Sequence, residues 1–375
     1  MIKELPAVLS DQELTAVIGG MSPFILRRHE SHGSVIALDQ IQPSSVDLTL
    51  GNRVYGMGVA SLPGRGEPVA SLVARAQYDF TLDDGQDGFL HRGYTYIVPL
   101  NERLALPRTF SAKFSPKSSI GRTDVFVRVL ADGVSSFDYA PDGYQGYLYL
   151  EITPLSFPVF VRPGLPLVQM RIKNGDSRIS AREVMLAHAR EGIFFDKNGA
   201  VIPGPSLQGA EHGIYLHIDF DRDIAGFVSR TSVEQPLSLS QVDTYDPLAY
   251  WEPIPRPQTG LALDPGRFYL LATRERVRIP TSLCGDIAAY DAATGEFRTH
   301  YAGFFDPGFG GTSGVTGVLE VRGREMPHRL SDGDPVCLMV FERVGPVEKP
   351  YRGNYQHPGP SLSKHFKQRT EVWGS

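Results

Sequence analysis

Two distant stretches of this chain repeat one another, and the repeat limits what the chain can fold into. Tyr96-Ile97-Val98-Pro99-Leu100-Asn101-Glu102-Arg103-Leu104-Ala105-Leu106-Pro107 is answered by Tyr269-Leu270-Leu271-Ala272-Thr273-Arg274-Glu275-Arg276-Val277-Arg278-Ile279-Pro280. Each half then crosses a glycine-punctuated segment to a Leu-Glu pair, Leu150-Glu151 and Leu319-Glu320. Each also closes with an apolar run behind a turn, Arg162-Pro163-Gly164 to Met170 and Ser331-Asp332-Gly333 to Met339. Self-similarity on this scale sets the domain count at two copies of one unit. The boundary is expected near residue 205, in Gly204-Pro205-Ser206-Leu207-Gln208-Gly209, giving domains 1–205 and 206–375.

The unit is expected to be all-β. Gly (39) and Pro (29) fall between short runs rich in Val, Ile, Leu, Phe and Tyr, which is how turns separate strands. Tyr94–Val98, Gly146–Ile152, Val159–Val161, Leu167–Ile172 and Gly213–Ile218 read as strands. Helices are expected only after Ser10, whose spacing to Glu13 is that of a capping box, and over Ser180–His188. A hydrophobic content of 41% is ample for a core in each half.

Charge and cysteine usage exclude several classes. A net charge of -5 argues against a protein that holds nucleic acid through a broad basic surface. Two cysteines, Cys284 and Cys337, build no disulfide framework and suit a reducing compartment. Met1–Pro6 lacks a long apolar run, and no stretch approaches the roughly 20 apolar residues of a membrane helix. The cytoplasm is the expected location.

The chemistry concentrates between Ser115 and Glu151. Ser115-Pro116-Lys117-Ser118-Ser119-Ile120-Gly121-Arg122 brings hydroxyls, cations and a turn glycine together, the groups that hold an oligophosphate by charge-assisted hydrogen bonds. Alone, such a string reads more simply as a solvated hairpin. The alternating strand Gly146-Tyr147-Leu148-Tyr149-Leu150-Glu151, which ends in a carboxylate shortly afterwards, favours nucleotide chemistry.

Together these strings resemble the dCTP deaminase family, of the same superfamily as trimeric dUTP pyrophosphatases. Lys117–Arg122 resembles the family's Arg-Ser-Ser-Leu-Gly/Ala-Arg motif, and Gly146–Glu151 its glutamate-bearing strand. Pro43-Ser44-Ser45-Val46-Asp47-Leu48-Thr49-Leu50-Gly51 is similar to the Pro-Ala-Ser-x-Asp-Leu-Arg-Leu-Gly segment. In the second half, Ala302–Phe309 matches Ala-Gly-x-Ile-Asp-Pro-Gly-Phe, and Pro350–Lys364 resembles the family's C-terminal tail. Opposite Lys117–Arg122, however, the second half has Tyr290-Asp291-Ala292-Ala293-Thr294-Gly295, without cation or paired serine. The resemblance therefore places the working site on the first half and makes Glu320 vestigial or structural.

What the resemblance implies is specific. The fold would be two tandem dUTPase-like distorted β-barrels, jelly-roll-like, assembled as a homotrimer with shared sites. The reaction would be hydrolysis of dCTP to dUTP and ammonia, supplying thymidylate synthesis, with dTTP or dUTP as candidate inhibitors. Glu151 would shuttle protons, Ser118 position the water, and Arg122 orient the glutamate. Lys117, Ser118, Ser119 and Arg122 would hold the triphosphate, backbone groups at Val129 and Ala131 read the base, and Asp142 or Asp138 meet the deoxyribose. Tyr351, Tyr355 and Gln356 would belong to a C-terminal lid. Magnesium would enter only as the counterion of the triphosphate. Zinc chemistry is not expected, because the His-x-Glu and Pro-Cys-x-x-Cys signature of zinc deaminases is absent. Two alternatives stay open: a dUTP pyrophosphatase or bifunctional enzyme continuing to dUMP, and a non-catalytic nucleotide-binding regulator.

Overall fold

The short apolar runs become strands, and the glycines and prolines between them become turns. The computed structural model describes residues 6–20, 22–28, 36–83, 85–288, 297–300 as backbone, 303–357 and 359–367. Met1–Leu5, Tyr290–Gly295, Ala302 and Pro358 lie outside the described residues. Two units form.

The first unit comprises Met1–Ser177 with two later segments, Glu234–Gln241 and Val344–Lys349. It opens with helix α1 (Asp11–Gly19), where Ser10 caps the Glu13 amide and the Glu13 carboxylate accepts from the Ser10 amide, as the capping box requires. Strands β1 (Val46–Thr49), β2 (Arg53–Gly56), β3 (Tyr78–Thr81) and β4 (Tyr96–Ala105) follow, with a single turn of helix, α2 (Ala70–Val73), before β3. Then come β5 (Phe110–Pro116), the short helix α3 (Ser118–Gly121), β6 (Val125–Ala131), β7 (Gln145–Pro154) and β8 (Pro166–Asn174). One antiparallel sheet runs β3-β2-β4-β7-β6; in the other, β8 pairs with β5 on one edge and β1 on the opposite edge.

In the second unit, helix α4 (Ala181–Glu191) precedes β9 (Gly213–His217), β10 (Ile224–Ser229), β11 (Phe268–Val277), β12 (Leu283–Ala288), β13 (Phe297–His300), β14 (Val315–Gly323) and β15 (Pro335–Arg343). One sheet contains β10-β11-β14-β13 and the other β9-β15-β12, the arrangement already seen in the first unit. The units thus share strand order as well as sequence. They also share register: Glu151 stands opposite Ile97 and Arg128, and Glu320 opposite Leu270 and His300, where Ile97 and Leu270 are the matching positions of the repeat. Glu102 and Glu275, also matched, do one job. The Glu102 carboxylate accepts from the Thr49 amide at 2.9 Å, and that of Glu275 from the His217 amide at 2.8 Å, each stapling a strand of the opposite sheet.

The units divide between Ser177 and Arg178, upstream of the expected break at residue 205. The reason is packing. Ile179, Val184, Ala187, Ile193 and Phe194 are buried in the second unit's core with Ile214, Leu271 and Phe341, so α4 and the chain after it belong there. The Gly204–Gly209 segment lies inside that unit, with Gly209 paired to Ile214. The two returning segments follow hydrogen bonds that sequence patterns do not announce. Leu237 pairs with Val159 in parallel, and the amides of Glu348 and Lys349 donate to the Asp11 carboxylate at 3.0 and 2.8 Å. In the second unit, Asp306-Pro307-Gly308-Phe309 is a tight turn that needs its glycines. Gly308 has φ +87°, and at Gly310, φ +86°, a Cβ would come within 2.2 Å of the Val277 carbonyl.

Candidate active site

Strand β7 buries a carboxylate in mid-sheet, which costs free energy unless the charge is paired and hydrogen-bonded. Glu151 is 1% exposed. Its partner comes from directly across the ladder: Arg128 on β6 faces Glu151 in register and donates to one oxygen, Oε1, from Nη2 at 2.7 Å and Nε at 3.3 Å. Among the described residues, the other oxygen, Oε2, accepts from the Ser61 amide alone, at 3.3 Å. Arg128 is itself held by aromatic faces, its guanidinium carbon 3.4 Å from the Phe137 ring centre and 4.8 Å from that of Phe126.

Two loops close over this row. The chain between β2 and β3, which carries Ser61, is tied down where the Gly66 amide donates to the Gly133 carbonyl at 3.1 Å, the Gly133 amide to Glu67 at 2.9 Å, and the Val69 amide to Asp132 at 2.8 Å. Met57, Val69 and Leu72 from that chain pack with Ile97, Leu130 and Tyr149 in a small apolar cluster that Phe137 also joins. The second loop follows β6. In it Asp138 has φ +58°, a left-handed backbone rare outside glycine, and grips the free edge of β6. Its carboxylate accepts from the Val129 amide at 2.7 Å, and its own amide donates to the Val129 carbonyl at 3.0 Å. Burial pushes the Asp138 carboxyl up to about 7; repulsion from Glu151 adds to that, while the Val129 amide, Arg128 and Lys113 offset part of it.

The residues expected to hold phosphate sit elsewhere in the unit. Lys117 caps α3, its amide donates to the Leu167 carbonyl at 3.0 Å, and its ammonium pairs with Asp47. Ser119 and Arg122 are buried, and Ser118 is half-buried. Beyond α3, Arg128 lies three residues after Val125, where β6 begins, about 10 Å along the strand. Among the described residues, the hydrogen bonds to Glu151 come from Arg128 and Ser61, so neither Ser118 nor Arg122 hydrogen-bonds it within one chain.

The remaining expected residues divide between the units. Val129 and Ala131 lie on β6, with the Val129 backbone engaged by Asp138 and the Ala131 carbonyl accepting from the Val134 amide. Asp142 is exposed in the turn before Tyr144. Tyr351, Tyr355 and Gln356 belong to the second unit. There the Gln356 side chain bonds the Gly310 amide at 3.0 Å and the Tyr351 carbonyl at 2.8 Å, and the Tyr351 ring packs on Phe309. Glu320 is 3% exposed on β14. Sequence reasoning passed over Ser61, Phe137 and the side chain of Arg128. A loop of more than a dozen residues parts Arg128 from β7, and only the strand register joins them.

Comparison with known proteins fits this geometry. Residues 8–176 match the family model of the 2′-deoxycytidine 5′-triphosphate deaminase N-terminal domain, and residues 180–366 that of its C-terminal domain. The crystal structure of 2′-deoxycytidine 5′-triphosphate deaminase from Agrobacterium tumefaciens superposes with a TM-score of 0.80 at 35% identity, covering 90% of this chain and 99% of that one. Curated relatives match over shorter stretches. The dCTP deaminase of Haloarcula marismortui is 31% identical over 152 residues, 39% of this chain and 75% of the relative. The dUMP-forming dCTP deaminase of Methanothermobacter thermautotrophicus is 33% identical over 125 residues, 33% of this chain and 60% of the relative. With two family models spanning nearly its whole length and a crystal structure that matches 90% of it, the chain belongs to the dCTP deaminase family.

Proposed function

We propose that the protein hydrolyses dCTP to dUTP and ammonia, with Glu151 as the acid/base. The observation that carries this reading is a carboxylate buried in mid-strand with one oxygen lightly engaged, in a chain of the dCTP deaminase family. Water adds to cytosine C4, a proton goes to N3, and the 4-amino group leaves as ammonia once protonated. One carboxylate at Glu151 serves each transfer, passing the first proton of the attacking water to N3 and then the second, from the hydroxyl formed on C4, to the leaving amino group. Lys117, Ser118, Ser119 and Arg122 hold the triphosphate, whose magnesium arrives with the substrate. In this reading Asp47 releases Lys117 when phosphate binds. In this reading no zinc takes part, since the sequence lacks the His-x-Glu and Pro-Cys-x-x-Cys signature of zinc deaminases.

The separation of Ser118 and Arg122 from Glu151 within one chain supports a site completed by a neighbouring chain, in a homotrimer working in the cytoplasm. Among the described residues, no helix is long and apolar enough to cross a membrane. A second reading has support of its own, because several relatives carry the name dUMP-forming. Incubation with dCTP and magnesium, followed by separation of nucleotides and ammonia, distinguishes the two. Equal amounts of dUTP and ammonia are expected; dUMP with pyrophosphate would establish the bifunctional reading, and unconsumed dCTP would overturn both.

A further inference from the structure

We infer that Arg128 is the positioning residue of the site, holding Glu151 with Oε1 occupied and Oε2 presented to the reacting atoms. The inference rests on the reading of Glu151 as acid/base. Among the described residues, both hydrogen bonds of the Arg128 guanidinium go to the same carboxylate oxygen, from Nη2 at 2.7 Å and Nε at 3.3 Å. A clamp on one oxygen fixes the plane of the carboxylate and leaves the second oxygen, among the described residues, with one contact at 3.3 Å to the Ser61 amide. The clamp is rigid because Phe137 and Phe126 hold the guanidinium on their faces. Phe137 is fixed in turn by its neighbour Asp138, which bonds both backbone groups of Val129. With a side chain 22% exposed over a carboxylate 2% exposed, Arg128 stands between Glu151 and solvent.

The fold itself does not require an arginine here. In the second unit the matching carboxylate, Glu320, stands opposite His300 at the same register, and the strand pair forms there without it. Arginine accompanies the carboxylate in the unit where Lys117–Arg122 supplies phosphate-binding groups. It is absent opposite Glu320, in the unit whose corresponding segment carries none. The groups facing Arg128 are Glu151 from β7, Asp138 and Phe137 from the loop, and Phe126 from its own strand. Lysine in its place would keep the charge and lose the fork, and methionine would keep the bulk between the rings and lose both.

The test compares wild type with Arg128→Lys, Arg128→Met and Arg128→Ala in the full chain, measuring ammonia release from dCTP. A misaligned base costs about 10²-fold in turnover. The Met variant is expected to lose about that factor in kcat, with KM for dCTP within about threefold of wild type. Arg128→Lys should retain more activity than Arg128→Met, and millimolar guanidinium should restore part of the lost turnover to Arg128→Ala. A role confined to packing predicts the opposite: no guanidinium rescue and equal losses for Lys and Met. That outcome, wild-type kcat in the Met variant, or a loss confined to KM would overturn the inference. Should the Met variant not fold, the Lys variant and the guanidinium rescue decide alone. Wild-type protein that leaves dCTP intact would overturn the functional reading and this role with it, whereas an active wild type matched by its variants sinks only the role of Arg128.

Discussion

At the scale of the residue, the site is an arrangement of charges in which burial and pairing pull in opposite directions. Glu151 is paired with Arg128; Asp138, beyond Arg128, is held toward its neutral form by burial, with its carboxyl pushed up to about 7. A carboxyl raised in the folded state above its ordinary value of about 4 makes the fold favour the protonated form. That contribution is complete below the ordinary value and is lost as pH rises through about 7. Asp138→Asn cannot ionise and keeps an oxygen for the Val129 amide, so its melting temperature should gain on that of wild type as pH rises from about 4 to about 7 and hold a constant lead above that. Parallel melting curves across that range would contradict the placement of Asp138. Some of this scale was legible in sequence. Glu151 stood out because it closes an alternating, aromatic-rich run of sequence, and Lys117–Arg122 because its residue types are grouped. Arg128 did not, since its function comes from cross-strand register, and Ser61 did not, since what it offers is a backbone amide.

At the scale of the element, local rules and tertiary packing agree where the sequence was easiest to read. The capping boxes at Ser10 and Ser180 start α1 and α4, and the predicted strands appear within one or two residues for Gly146–Ile152, Val159–Val161 and Gly213–Ile218. At α4 the Ser180 hydroxyl accepts from the Glu183 amide, while the Ser180 amide donates back to the Glu183 carboxylate at 2.8 Å. Ser180→Ala should therefore cost about 1 kcal/mol in denaturant unfolding of the second unit's transition. An unchanged midpoint would show that packing of Val184 and Ala187 alone specifies the helix. The single-turn helices α2 and α3 were not foreseen. Each is too short for a hydrophobic period and is held by what it packs against: Leu72 in the small cluster over β4, β6 and β7, and Ile120 in the first unit's core.

At the scale of the whole molecule, the duplication explains why a resemblance read from scattered motifs held across the chain. Two copies of one strand order keep the same register, so matched residues such as Glu102 and Glu275 perform matched tasks even where the site chemistry has diverged. The exchange of Glu234–Gln241 and Val344–Lys349 into the first unit escaped sequence reasoning because it depends on long-range hydrogen bonds and a parallel pairing, not on any local signal. Lys117–Arg122 precedes the start of β6, whereas Glu151 stands opposite Arg128 midway along it, and this is the ground for proposing a site assembled between copies. The decisive measurement is complementation between Glu151→Gln and Arg122→Ala, each purified alone and then as mixed oligomers, assayed for ammonia release from dCTP. The account predicts parents at background and mixed oligomers that regain activity, since one chain then offers Glu151 and its neighbour Arg122. Mixed oligomers as inactive as their parents would contradict a shared site, and an active Glu151→Gln parent would contradict the central role of the carboxylate.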